Sequence, residues 1–112
     1  MSYVFEQWAF LQDLAKLIAF AEGQGFVLTG GELWRTQEQQ EIHLAKGRSG
    51  TKNSKHLVRL AIDLNVIKAG ALATKKEDYE MLGIFWEGLN KKNRWGGRWI
   101  SPQDPFHFER NA

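Results

Sequence analysis

Leu60-Ala-Ile-Asp-Leu-Asn-Val66 is the clearest strand in the chain. Leu60, Ile62, Leu64 and Val66 fall on one face of the pleat, and Ala61, Asp63 and Asn65 fall on the other. Aspartate is depleted in strands, yet Asp63 stands between Ile62 and Leu64 in the most apolar stretch of the sequence. An unpaired charge held there is costly, so the position demands a partner.

Working outward, His56 lies seven residues upstream, at the entry to this strand. Near the other end, Asp104-Pro-Phe-His-Phe-Glu109 reads as a last strand, with Phe106 and Phe108 on one face and His107 and Glu109 on the other. If the two strands are neighbours, Asp63 and His107 share a face with His56 above them. Two imidazoles and one carboxylate form a set that zinc accepts, and catalytic zinc sites keep three protein ligands and an open position. Asp104 precedes His107 by three residues, and Pro105 fixes the backbone between them. A carboxylate there is placed to take a proton from water at the metal. Taken singly, each residue has a plainer reading. A strand Asp more commonly pairs with Arg or Lys, a lone His is commonly a satisfied core residue, and Asp-Pro is an ordinary turn. His43 reads as a histidine on a helix surface and is left out of the set.

The flanking segments predict a mixed fold. From about Phe5 to Glu22, Trp8, Leu11, Ala15, Ile18 and Ala19 recur at helical spacing, with Gly23 and Gly25 as terminators. Phe26-Val-Leu-Thr29 reads as a short strand. Thr36 is the cap expected of a second helix, with Gln39 at its third position, Ile42 and Ala45 facing inward, and Gly47 closing it. A polar loop, 48–54, follows. A third helix is expected from Thr74 or Lys75 to Leu89, with Tyr79, Leu82, Phe85, Trp86 and Leu89 as its apolar stripe. Asn93–Trp99 reads as a glycine-rich turn, with Trp95 and Trp99 assigned to the core ahead of a binding groove. The pattern is α+β, with residues 1–112 as one compact domain.

Composition bounds the function. The 112 residues are 43% hydrophobic and 25% charged, the balance of a chain that folds around a core. Cysteine is absent, which excludes disulfides, thiolate zinc fingers and cysteine nucleophiles. No apolar run approaches the roughly 20 residues of a membrane span, and the first residues lack the basic start of a signal peptide, so a cytoplasmic protein is expected. Residues 1–34 carry one base against four acids, a net of −3; the remainder carries 14 bases against 9 acids, a net of +5. A basic segment of this kind suits an anionic partner such as nucleic acid, wall polymer or lipid headgroups.

The ordered motifs resemble a known family. Ser54-Lys-His56-Leu-Val-Arg-Leu-Ala61-Ile-Asp63 is similar to the Ser-x-His-x6-Asp signature of zinc D-alanyl-D-alanine peptidases (VanY-like) and phage L-alanyl-D-glutamate endolysins. Trp95-Gly-Gly-Arg-Trp99 followed by Asp104-Pro-Phe-His107-Phe-Glu109 resembles their C-terminal block, and Leu33-Trp-Arg35-Thr-Gln-Glu-Gln-Gln40 their upstream Tyr-Arg-Ser/Thr…Gln segment. The resemblance implies a Hedgehog/D-Ala-D-Ala-peptidase-like fold, a small antiparallel sheet flanked by helices, with residues 1–112 as a single catalytic domain and no separate wall-binding domain. It also implies one Zn2+ per chain held by His56, Asp63 and His107, and Asp104 as the catalytic base. It further implies that Arg35 binds a substrate carboxylate or the developing oxyanion, that Ser54 lies at the substrate rim, and that Glu109 orients His107. Two departures stand out. Arg59 occupies a position where the family often has Gly, and Trp34 replaces the usual Tyr before the arginine.

The function expected from this resemblance is zinc-dependent hydrolysis of the L-Ala–D-Glu bond of the peptidoglycan stem peptide. The setting would be a monomeric phage endolysin reaching the wall after membrane disruption, with no nucleic-acid partner. A D-alanyl-D-alanine carboxypeptidase or dipeptidase on the same scaffold is the near alternative. A basic nucleic-acid-binding protein and a module that binds wall without cutting it are the alternatives from other classes.

Overall fold

The computed structural model describes residues 3–47, 54–100 and 102–112; most of the polar loop expected at 48–54 lies outside them. In chain order the elements are α1 (Val4–Gly23), β1 (Val27–Gly30), α2 (Gln37–Ala45), β2 (Ala61–Lys68), β3 (Ala71–Leu72), α3 (Glu80–Leu89), β4 (Asn93–Trp95) and β5 (His107–Arg110). Short 3-10 turns occupy Lys55–Val58, Lys76–Asp78 and Gly96–Arg98. The strands form one antiparallel sheet in the order β1-β2-β5-β4, with β3 folded back on β2. The α+β expectation holds.

The period-2 pattern of β2 sorts its side chains as expected. Leu60, Leu64 and Val66 enter the core together with Phe108 of β5, and Asp63 opposes His107 in register on the other face. α1 contributes Phe10, Leu14, Leu17 and Ala21 to that core, and α3 contributes Leu82 and Trp86, following Tyr79 at its cap. The polar tips of the buried Tyr79 and Trp86 are satisfied. Tyr79 Oη donates to the Ala73 carbonyl (2.7 Å) and accepts from the Val66 N–H (3.0 Å), while Trp86 Nε1 donates to the carbonyls of Arg94 and Glu109. Each fully buried side chain of this size contributes about 1.5–3 kcal/mol, so the sheet that carries the site is anchored through its opposite face.

Four sequence expectations need correction. α1 forms, but Trp8, Leu11 and Ile18 lie exposed, and the buried stripe is Phe10, Leu14, Leu17 and Ala21 with Asp13. The helix is apolar on two sides, so periodicity finds the helix without choosing its inner face. In α2 the Thr36–Gln39 capping box is present, yet Ile42 and Ala45 point outward and the buried residue is Gln40. α3 starts at Glu80, because Lys76–Asp78 takes the tighter 3-10 form. Finally, Asn93–Trp95 is a strand pairing with β5, not part of a turn.

The two glycines after β4 are there because nothing larger fits. A Cβ on Gly96 would stand 2.3 Å from the Asp104 carbonyl oxygen, and one on Gly97 would meet the Trp95 indole at 2.1 Å. Trp95 is buried, as expected, and its Nε1 donates to the Pro105 carbonyl (2.8 Å), fixing the segment that leads to His107. Among the described residues, no helix is long and apolar enough to cross a membrane.

Candidate metal centre

Pairing β2 with β5 sets Asp63 directly across from His107. His56 arrives on the 3-10 turn just before β2, a turn begun by Ser54, whose Oγ accepts from the His56 backbone N–H (3.2 Å). His56, Asp63 and His107 each offer a donor atom, and the three atoms lie within 4.8 Å of one another. Both imidazoles approach the same carboxylate oxygen: His56 Nε2 and His107 Nδ1 each stand 3.5 Å from Asp63 Oδ1. Their rings cross at 73° with centroids 5.0 Å apart.

The outer nitrogens of both rings are committed. His56 Nδ1 lies 3.0 Å from the Leu33 carbonyl, which can only accept, so Nδ1 carries the proton and Nε2 is turned toward Asp63. His107 Nε2 is 2.8 Å from Glu109 Oε1, leaving Nδ1 as its inner nitrogen. Glu109 also takes Arg94 Nε (2.8 Å) and pairs with Arg94 Nη2. Such outer partners fix ring orientation and raise ligand basicity.

The charges of these groups act on one another. Burial alone would raise the Asp63 pKa, but the two imidazoles hold it well below the usual carboxylate range. Burial opposes a charged His107, yet Asp63 and Glu109 together push its pKa up to about 9. Glu109 is held below its ordinary value against burial, first by His107 and then by Arg94. Despite these attractions, Asp63 Oδ1 is buried without a hydrogen-bond partner among the described residues. A buried orphan carboxylate oxygen with two imidazole nitrogens around it fits a small divalent ion that accepts nitrogen and oxygen donors.

Around this cluster, residues 31–35 form a backbone clamp. The Gly31 N–H donates to the Asp63 carbonyl (2.7 Å), the Asp63 N–H to the Glu32 carbonyl (2.9 Å), and the Arg35 N–H to the His56 carbonyl (3.2 Å). A Cβ on Gly31 would stand 2.9 Å from Asp63 Cβ and from its carbonyl oxygen, so only glycine permits this approach. Arg35 is buried; its Nε and Nη2 engage Glu32 and its Nη1 engages Gln40. Asp104 stands outside the three-residue cluster. Burial first, and then the Asp63 charge, raise its pKa. Trp99 packs obliquely against the His107 ring at 4.9 Å and is half-buried.

The structure brings His56, Asp63 and His107 together; Ser54, Glu109 and the Arg35 backbone are hydrogen-bonded to the two histidines, Asp104 feels their charges, and His43 sits on α2, outside the cluster. Sequence reasoning missed Gly31, the Leu33 carbonyl, Glu32 and Arg94, and it took in Gln40 only as the end of the upstream motif, with no role. Backbone groups carry no side-chain signal. The spacing of Glu32 and Gln40 around Arg35 becomes meaningful only once the chain turns back on itself.

Comparison with known proteins bears on the family and the fold. A family profile described as D-alanyl-D-alanine carboxypeptidase matches residues 47–110. No curated protein sequence matches the chain. Among solved structures, the L-Ala D-Glu endopeptidase ChiX of Serratia marcescens is similar with a TM-score of 0.70 at 24% identity, covering 88% of this chain and 78% of that one. The vancomycin-resistance D,D-pentapeptidase VanY from a VanB-type resistance cassette, crystallised as a variant with Zn(II), is similar with a TM-score of 0.63 at 17% identity, covering 93% and 71%. At these identities the two structures bear on the fold.

Proposed function

The chain belongs to the D-alanyl-D-alanine carboxypeptidase family of peptidoglycan metallopeptidases, and we propose that its own reaction is zinc-dependent hydrolysis of the L-Ala–D-Glu bond of the stem peptide. The observation that carries the reading is the convergence of His56 Nε2 and His107 Nδ1 on the orphaned Asp63 Oδ1. The choice of bond is supported by the likeness to ChiX, which extends over most of both chains.

His56, Asp63 and His107 would hold the metal. A zinc ion so held supplies Lewis-acid polarisation of the scissile carbonyl and acidifies water near neutral pH. The chain's own groups do the rest. Asp104, with a pKa raised by burial and by Asp63, takes a proton from the attacking water and returns it to the leaving amine. Arg35, braced by Glu32 and Gln40, offers its remaining N–H donors to the oxyanion that develops on the peptide carbonyl. Glu109 and the Leu33 carbonyl keep the two imidazoles aimed inward, and Ser54 supports the turn that presents His56.

The test is a digest of purified muropeptides by the zinc-loaded protein, read by mass spectrometry. New amino termini on D-Glu are expected; release of terminal D-Ala alone would refute the choice of bond and favour a D-alanyl-D-alanine carboxypeptidase, the reading to which the VanY likeness lends support. Asp104→Ala should keep its zinc and lose turnover about 10²–10⁴-fold, and wild-type activity in that variant would refute the assignment of the base. The net charge of +5 over residues 35–112 supports action on an anionic envelope, as a phage endolysin would require. Lysis of permeabilised bacteria, abolished by a chelator and restored by zinc, is the expected outcome. An unchanged rate with chelator present would overturn the metal dependence.

A further inference from the structure

Arg59 has a backbone conformation that arginine does not favour. It closes the 3-10 turn carrying His56 with φ +58° and ψ +37°, the left-handed region that glycine enters freely. Its guanidinium lies over the indole of Trp34, 4.8 Å from the ring centroid. Both residues are solvent-exposed, Trp34 by 48%. These are the two positions at which the chain departs from the motifs of the family it resembles, and the folded structure brings them into contact.

We propose that Arg59, seated on Trp34, is a specificity-determining residue that receives a carboxylate of the substrate beside the metal centre. The proposal rests on the peptidase reading above and names the charge that this site recognises. Position is the first argument. Trp34 sits between Leu33, whose carbonyl holds His56 Nδ1, and Arg35, whose N–H donates to the His56 carbonyl. Arg59 is three residues from His56, and its own N–H points back to that carbonyl (3.4 Å). Arg59 and Trp34 thus belong to the two segments whose backbone groups hold His56.

Charge is the second argument. Arg35 is turned inward and already balanced by Glu32. Arg94, Arg98 and Arg110 are paired with Glu109, Glu87 and Glu6. Arg59 is the exposed arginine whose recorded contact, among the described residues, is an aromatic face and not a carboxylate. A guanidinium lying over an aromatic ring can leave edge N–H donors free in its own plane, where a carboxylate can meet them in bidentate fashion. Burial of Arg35 and exposure of Arg59 thus divide the two tasks: the inner arginine serves the oxyanion and the outer one the anionic substrate group.

The test compares two L-Ala-D-Glu peptides, one with the glutamate carboxylate next to the scissile bond free and one with it amidated. Wild-type zinc-loaded protein should favour the free carboxylate in kcat/KM by about 10- to 100-fold, mostly through KM. R59G, which suits the left-handed backbone and so folds, should lose that preference, while R59K should keep part of it. Binding of the two peptides to the metal-free protein, measured by calorimetry, should show the same Arg59-dependent preference. An equal carboxylate-to-amide ratio in wild type and R59G would overturn the proposal. Arg59-dependent binding with no cleavage of either peptide by wild type would support this proposal and count against the peptidase reading instead.

Discussion

Zinc affinity should climb steeply between pH 7 and pH 9. In the metal-free protein, burial opposes a charge on His107, but Asp63 and Glu109 on its two sides outweigh that and raise its pKa to about 9. At pH 7 its Nδ1, the nitrogen facing Asp63, therefore carries a proton that a metal must displace. Two pH units separate neutrality from that pKa. Proton competition thus lowers the apparent affinity at pH 7 by about 100-fold, or about 2.7 kcal/mol, and is relieved about tenfold per unit until the profile flattens above pH 9. Competition titration against a chromophoric chelator across this range measures the slope. Calorimetry in two buffers of different ionisation enthalpy counts the proton, about one released per zinc at pH 7 and close to none above pH 9. Glu109→Gln removes one of the two carboxylates and should move the inflection to lower pH. Above pH 9, where no proton competes, it should weaken binding about 10- to 100-fold by freeing the ring. A flat profile from pH 7 to pH 9 with no proton released would refute the reasoning, as would an inflection that Glu109→Gln leaves in place.

The same shift has a stability consequence of opposite sense. A raised histidine pKa stabilises the fold fully below the unfolded value near 6.5, and that stabilisation is lost as pH rises through about 9. The metal-free protein should therefore lose about 3 kcal/mol across this window, roughly 10 °C in Tm by thermal denaturation, and a Tm that rises instead would contradict the sign. At Gly31, a single methyl should disturb the centre without touching a ligand. Gly31→Ala forces its Cβ against Asp63 at 2.9 Å. It should cost about 1–3 kcal/mol of stability and weaken zinc at least tenfold; wild-type zinc affinity in a folded variant would show that the clamp does not position Asp63.

Much of the site was legible because strands have a strict period. Alternation in Leu60–Val66 and Phe106–Glu109 is enough to place Asp63 and His107 on polar faces, and an aspartate inside an apolar strand advertises a missing partner. The helices were less legible. α1 presents apolar residues at both Phe10, Leu14, Leu17 and Trp8, Leu11, Ile18, and nothing local decides between the two stripes. The choice is made by what packs on the helix, including Trp86, whose ring meets Phe10 edge-on at 5.5 Å. In α2 the inner position belongs to Gln40, because Arg35 needs a hydrogen-bond acceptor there more than the core needs Ile42.

Residue identity and a period of two are enough to give the candidate ligand types, the strand faces they occupy and the absence of any cysteine chemistry. Only the tertiary structure decided which nitrogen of each histidine faces inward, that Gly31 and the Leu33 carbonyl clamp the centre, and that Arg59 meets Trp34. Those outcomes depend on backbone groups and on contacts between residues tens of positions apart, which leave no mark in local composition and arise only when the strands close into a sheet.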